Sequence, residues 1–147
     1  MSNIDELANE AKSVYFPIDL DVRNKCFYFQ HTSINALTNS TFLDNRFTTT
    51  DSAMQPVTLN SVKHLAVTQS KHIGYLFHTS FCCSTLLARL LDFPKKSIAL
   101  KEPLILRRLS DAALDGMPNH ELTDASVKLL FRNIDGLSAV LVKPTHV

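Results

Sequence analysis

The sequence predicts an α/β fold, three layers of α/β/α around a parallel sheet, and three observations in its second half carry that prediction. Residues 73–79, 97–101 and 137–142 are short, nearly continuous apolar runs, the pattern of strands covered on both faces. The segments between them repeat their apolar residues at helical spacing, as Leu86, Leu87, Leu90 and Leu91 do over 84–92. Strands and helices therefore alternate in the order β, α, β, α, α, β, which a parallel sheet with crossover helices accommodates.

Residues 1–13 have the pattern of a short amphipathic helix, with Ile4, Leu7, Ala8 and Ala11 on one face and charges opposite. Two short strands over 14–20 and 25–30 follow, joined by a turn at 21–24, and the Phe27, Tyr28, Phe29 cluster suits sheet core. Ser33 is placed to cap a helix over about 34–43, which ends in Asp44-Asn45-Arg46. The Thr/Ser-rich stretch 48–56 has no periodicity and reads as a loop. Residues 57–69 are ambiguous: 57–59 fit an extended approach, whereas Val62, Leu65 and Ala66 fit a helix.

After strand 73–79 and helix 84–92, a turn at 92–96 leads into strand 97–101. Pro103 suits the first position of the next helix, which buries Ile105, Leu106, Leu109 and Ala113 and stops at Gly116 and Pro118. A second helix over about 121–134 buries Val127, Leu130, Phe131 and Ile134, and Gly136 ends it before strand 137–142. The chain reads as a single α/β domain, with 1–60 an N-terminal extension and 73–147 the core. Three parallel strands make a small sheet, so it reads as incomplete at its C-terminal side, a piece of a longer chain.

With 147 residues the chain is long enough to bury a core. A formal net charge of +1 gives no basic footprint, so no nucleic-acid partner is expected. No apolar run approaches the roughly 18–20 residues of a membrane span, and the polar, acidic start is not a secretory signal. Three cysteines, with Cys82 and Cys83 adjacent, fit reduced thiols of a cytoplasmic protein rather than a disulfide framework. Their spacing to the histidines does not fit a zinc site, and no metal is expected.

The chemistry concentrates where strand 73–79 bends into helix 84–92. First-turn amides of a helix lack intrahelical partners and carry the positive end of its dipole, so such a bend can hold phosphate. Against the pattern G-x4-G-K-[ST], with Thr85 in the last position, the glycines fall on His78 and Cys83 and the lysine on Ser84. Nucleoside triphosphate hydrolysis is therefore not supported. What remains is an amide-lined cup with the Ser84 and Thr85 hydroxyls, or else a plain turn in which Ser84 is only a helix cap.

Phe81-Cys-Cys-Ser-Thr-Leu-Leu resembles the 5′-phosphosulfate loop of sulfotransferases. Lys101-Glu-Pro-Leu-Ile-Leu-Arg-Arg-Leu is similar to the second-strand segment of tyrosylprotein and related bacterial sulfotransferases, and Val140-Leu-Val-Lys-Pro-Thr to the next strand and its turn. The resemblance covers about residues 73–147. It implies a P-loop-like fold and 3′-phosphoadenosine-5′-phosphosulfate (PAPS) as the donor. The reaction it implies is sulfuryl transfer to a hydroxyl or amine acceptor that the sequence does not identify. It assigns Ser80, Phe81, Cys82, Cys83, Ser84, Thr85 and Lys143 to donor binding. Glu102 would be the base on the acceptor, with Lys101 or Lys143 stabilising charge on the bridging oxygen. Two departures stand out: the loop's basic residue falls on Phe81, and the residues for the 3′-phosphate would lie beyond Val147.

Other readings of the same residues stay open. Glu102 could be a salt-bridged cap on the helix after Pro103, and both lysines could be plain strand ends. The loop could belong to a non-catalytic nucleotide- or phosphate-binding module. Cys83 to Arg89 also matches C-x5-R, the pattern of thiol phosphatases, in which a cysteine at a helix start is activated as a thiolate. His78 stands next to the loop, while Arg107 and Arg108 fit a solvated helix face.

Overall fold

The computed structural model describes residues 13–47, 53–65, 67–79, 82–117 and 119–145. The expected helix over 1–13 lies outside the described residues apart from Ser13, which begins a strand. The fold is mixed α/β, with one antiparallel and one parallel sheet of three strands each.

Strands β1 (Ser13–Asp21) and β2 (Cys26–Ser33) form the expected hairpin. Asp21 accepts from the Asn24 amide at 2.9 Å and Lys25 takes a left-handed φ of 50°, which together close the turn. A register shift between Pro17 and Asp19 fits proline, which has no N–H to give to a ladder. Beyond Ser33, whose Oγ accepts from the Ala36 amide at 3.0 Å, helix α1 runs over Ile34–Asn39, shorter than expected. A third strand, β3 (Gln55–Thr58), antiparallel to β2, starts in the last two residues of the expected loop and continues into the extended approach expected from 57. Thr58 then caps the short helix α2 (Leu59–Lys63).

The parallel sheet contains β4 (His72–Tyr75), β5 (Ser97–Lys101) and β6 (Ala139–Lys143), in the order β4-β6-β5. The last strand lies between the first two, unlike the sequential order of dinucleotide-binding folds and unlike the flavodoxin order. Helix α3 (Ser84–Leu90) links β4 to β5. Helices α4 (Leu104–Leu114) and α5 (His120–Leu130) lead back to β6, the latter capped by Asn119 on the Leu122 amide at 3.2 Å. No helix among the described residues is long and apolar enough to cross a membrane.

Two buried clusters join the sheets. Phe16 and Ile18 of β1 and Leu37 of α1 pack with Ile98, Leu100, Val140 and Val142 of the parallel sheet, and with Phe131 and Ile134 after α5. Leu20, Phe27 and Phe29 pack with Val62, Ile105, Leu122 and Leu129. Burying each such side chain contributes about 1.5–3 kcal/mol, so the antiparallel unit is part of the core rather than an appendage.

Two expectations are corrected here. The leucines Leu86, Leu87 and Leu90 are exposed; in α3 the buried residues are Ser84 and Ala88. The small Ala88 side chain lets the helix approach β5 on that face, which turns the leucine face outward. Nor is the sheet covered throughout. Four of the five residues of β5 are buried, whereas Ile73 and Tyr75 of β4 and Phe77 just after it are exposed, although both strands are edges of the sheet.

Candidate functional site at the carboxyl ends of the parallel strands

In a parallel sheet the loops that follow the strands gather at one edge, where ligands bind in open α/β folds. After β4 the ladder continues one step, with the Leu76 amide donating to the Val142 carbonyl at 2.9 Å. His78 Nε2 lies 3.0 Å from the Pro144 carbonyl, tying the start of the loop to the turn after β6. Ser80 and Phe81 lie outside the described residues.

Cys83 takes a left-handed conformation, φ 57°, occupies the cap position of α3, and makes no side-chain cap bond. Ser84, the cap in the plain-turn alternative, is instead the first residue of the helix, buried, with Thr85 half-buried beside it. Hydrogen bonding from the Ser84 side chain, and then from the backbone of Ser84, Thr79 and Cys82 itself, holds the exposed Cys82 thiol below its ordinary pKa, although burial pulls the other way.

The two lysines of the strand ends separate in role. Lys101 is fully buried; its Nζ donates to Asp92 Oδ2 at 3.0 Å and to the Thr38 carbonyl at 2.8 Å. Asp92 Oδ1 also accepts from the Ala99 amide at 2.6 Å, so this ion pair braces β5 against α1 and the turn after α3. Lys143, also fully buried, bonds through Nζ to Glu102 Oε1. The backbone reinforces that pair, since the Glu102 amide donates to the Lys143 carbonyl at 2.7 Å. Glu102 holds φ at 56°, a conformation costly for a residue with a side chain and concentrated at functional sites.

A segment that the sequence did not mark also reaches this edge. The Leu43 amide donates to the Lys101 carbonyl at 2.6 Å, and Leu43 in turn accepts from the Leu104 amide at 3.0 Å. That places Phe42 so that Lys143 Nζ stands 5.8 Å and the Arg46 guanidinium 4.3 Å from its ring centroid, within reach of cation–π attraction. Arg46 grips Asp44 through Nε at 2.9 and 3.0 Å. The hydrogen bond to Arg46 holds the Asp44 carboxylate below its usual range, and Asp44, then Glu102, raises the Arg46 guanidinium. In the sequence Asp44-Asn45-Arg46 looked like a helix end; the only signal was an acid and a base two residues apart beside an aromatic.

The remaining candidates are structural. Residues 84–89 are helical, so Arg89 stands more than a turn from Cys83 and donates to Thr41 Oγ1 at 3.0 Å, a poor fit to a C-x5-R loop. Arg108 bonds Asp19 at 2.9 Å and links α4 to β1, while Arg107 faces Asp111 on the helix surface. Phe27 and Phe29 are buried in the core. A cavity of about 970 Å³ is lined by Asn35, Thr38, Arg89, Asp92 and Lys95 among others, but neither Glu102 nor Lys143 lines it.

The ends of the three adjacent strands thus carry a carboxylate held on a buried ammonium, between β5 and β6, and the hydroxyl-bearing start of α3 after β4. No protein-family model, curated protein or solved structure matches this chain.

Proposed function

We propose that this edge is the donor site of a sulfotransferase-like transferase that moves a sulfuryl group from PAPS to a hydroxyl or amine. The Glu102–Lys143 pair carries the reading, because it sets an acid–base group and a cation side by side at the strand ends. The amides of 82–85 and the hydroxyls of Ser84 and Thr85 hold the 5′-phosphate. Glu102 takes the acceptor proton as the acceptor oxygen or nitrogen bonds to sulfur. The bond from sulfur to the bridging phosphate oxygen breaks, adenosine 3′,5′-bisphosphate leaves, and Lys143 offsets the charge that develops on the bridging oxygen. Lys101, engaged with Asp92, serves the scaffold in this scheme. The parallel strands and their helices would then be a three-layer P-loop-like unit of a cytoplasmic protein.

Calorimetric titration with adenosine 3′,5′-bisphosphate, with ATP–Mg as comparison, tests donor binding, and a sulfuryl-transfer assay tests turnover. Glu102→Gln keeps an oxygen for Lys143, so it should retain bisphosphate affinity while losing turnover, at some cost in thermal stability because the buried Lys143 loses its counter-charge; full turnover in that variant would remove Glu102 from the mechanism. The lack of a basic residue at position 81 favours a second reading, a non-catalytic nucleotide-binding module. Bisphosphate binding without transfer to any acceptor tried would select it.

A further inference from the structure

The cavity of about 970 Å³ lies apart from the strand ends that carry Glu102 and Lys143. Ser97, the first residue of β5, and Leu137, just ahead of β6, place it at the amino ends of those strands. Its volume is in the roughly 300–1,000 Å³ range of small-molecule sites. One wall is α1, where Asn35, Thr38 and Asn39 share a face at helical spacing. The other is the end of α3 and the turn into β5, with Arg89, Asp92, Phe93 and Lys95.

These walls are held in place. Lys101 donates to the Thr38 carbonyl at 2.8 Å and to Asp92 Oδ2 at 3.0 Å, so one buried ammonium ties the two sides together. In the turn, Ser97 Oγ donates to the Leu91 carbonyl at 2.7 Å, and the Lys96 and Ser97 amides both donate to the Phe93 carbonyl at 3.0 Å. A cavity braced in this way is formed before a ligand arrives, which lowers the cost of ordering it on binding.

The lining favours an anion. Asp92 is already matched by Lys101 and by the Ala99 amide, and Asp135, the other carboxylate on the cavity, is not free either. Arg89 spends one N–H on the neutral Thr41 hydroxyl, and its remaining donors suit the paired oxygens of a carboxylate or phosphate. Lys95 adds a second positive charge with no ion pair among the described residues. Phe93, four positions after Arg89 and 54% exposed, offers an aromatic face beside that guanidinium.

We propose that this cavity binds a small organic anion, a planar ring bearing a carboxylate or a phosphate, with the ring against Phe93 and the anionic group on Arg89. The inference is independent of the sulfuryl-transfer reading.

Proton–nitrogen correlation spectra of the full chain, titrated with benzoate, phenyl phosphate and the uncharged benzamide, test it. Benzoate or phenyl phosphate should shift the side-chain amides of Asn35 and Asn39 and the backbone amides of Lys95 and Ser97, and the shifts should saturate together. The tighter of the two identifies the anionic group. Benzamide should bind at least about tenfold more weakly, the effect of losing a charge-assisted hydrogen bond. Arg89→Gln, at an exposed position, should lose a similar factor while the rest of the spectrum stays in place. Equal binding of benzamide, an unchanged affinity in Arg89→Gln, or shifts confined to Ser84 and Thr85 would overturn the site. So would the lack of any saturating shift, or weak shifts spread over the surface lysines, which mark an adventitious ion only.

Discussion

Along β5 the edge of the parallel sheet meets protein: Leu43 donates to the Lys101 carbonyl, Asp92 accepts from the Ala99 amide, and Lys101 is locked between Asp92 and Thr38. Along β4 the corresponding edge meets nothing among the described residues, and its Ile73 and Tyr75 are exposed. The two strands read alike in sequence, as short apolar runs. The difference comes from what the preceding chain supplies. The segment after α1 reaches back across 50–60 residues to close β5, and no described segment does this for β4. Apolar composition therefore marks a strand that ought to be covered, without saying that its own neighbours cover it.

The widest test of this contrast compares truncations on the two sides. Phe131→Ala, in the cluster that joins the sheets, should cost about 3–5 kcal/mol in urea unfolding. Leu90→Ala on α3, exposed in the single chain, should stay within about 0.5 kcal/mol for a monomeric sample. A comparable loss for both would mean that the face of α3 is buried after all.

Nearly as large is the effect expected from the closed edge itself. Lys101→Met leaves the Asp92 carboxylate, only 13% exposed, without its cation. Breaking a buried pair in this way costs about 3–5 kcal/mol, readable as a lower urea midpoint. If Lys101 instead belonged to the donor site, the variant would lose bisphosphate binding at unchanged stability.

At the open side, the thiol of Cys82 reports the donors of the loop. Its lowered pKa predicts iodoacetamide alkylation that persists to lower pH than for an ordinary peptide thiol, followed by peptide mapping. In Ser84→Ala the strongest of those donors is gone, so the pH midpoint of Cys82 alkylation should move upward. An unmoved midpoint would show that the Ser84 hydroxyl is not aimed at the loop.

The smallest effect belongs to the Asp44–Arg46 pair, whose Arg46 side chain is 64% exposed. Because the folded carboxylate titrates below its usual range, its stabilisation is present above the unfolded value and is lost as pH falls through the lowered folded value. With solvent screening it amounts to about 0.2–1 kcal/mol. Asp44→Asn should lower stability by that much at neutral pH, and the gap from the parent should close in acid.

Sequence reading located the elements well where the pattern was local. The hairpin of β1 and β2, the Ser33 cap, β5, and the helices on either side of Gly116 all rest on spacing and on residues within one turn. It caught only the second half of β3, as an extended approach from 57, because Gln55-Pro-Val-Thr58 carries little strand signal by itself and is held by pairing with β2. It also misplaced the leucines of α3, since periodicity identifies an apolar face but not the direction in which that face is turned.

For the proposed site, the sequence and its family resemblance point to residues at the strand ends: the hydroxyls at Ser84 and Thr85, Glu102, Lys101 and Lys143. Tertiary structure decided which of them lie together. It set Lys143 on Glu102 and Lys101 on Asp92, and it brought Phe42 and Arg46 in from an unmarked turn. The physical reason is range. Propensity, capping and periodicity act over a few residues. By contrast, the pairing of one charge with another across 41 positions depends on the order in which strands are laid side by side.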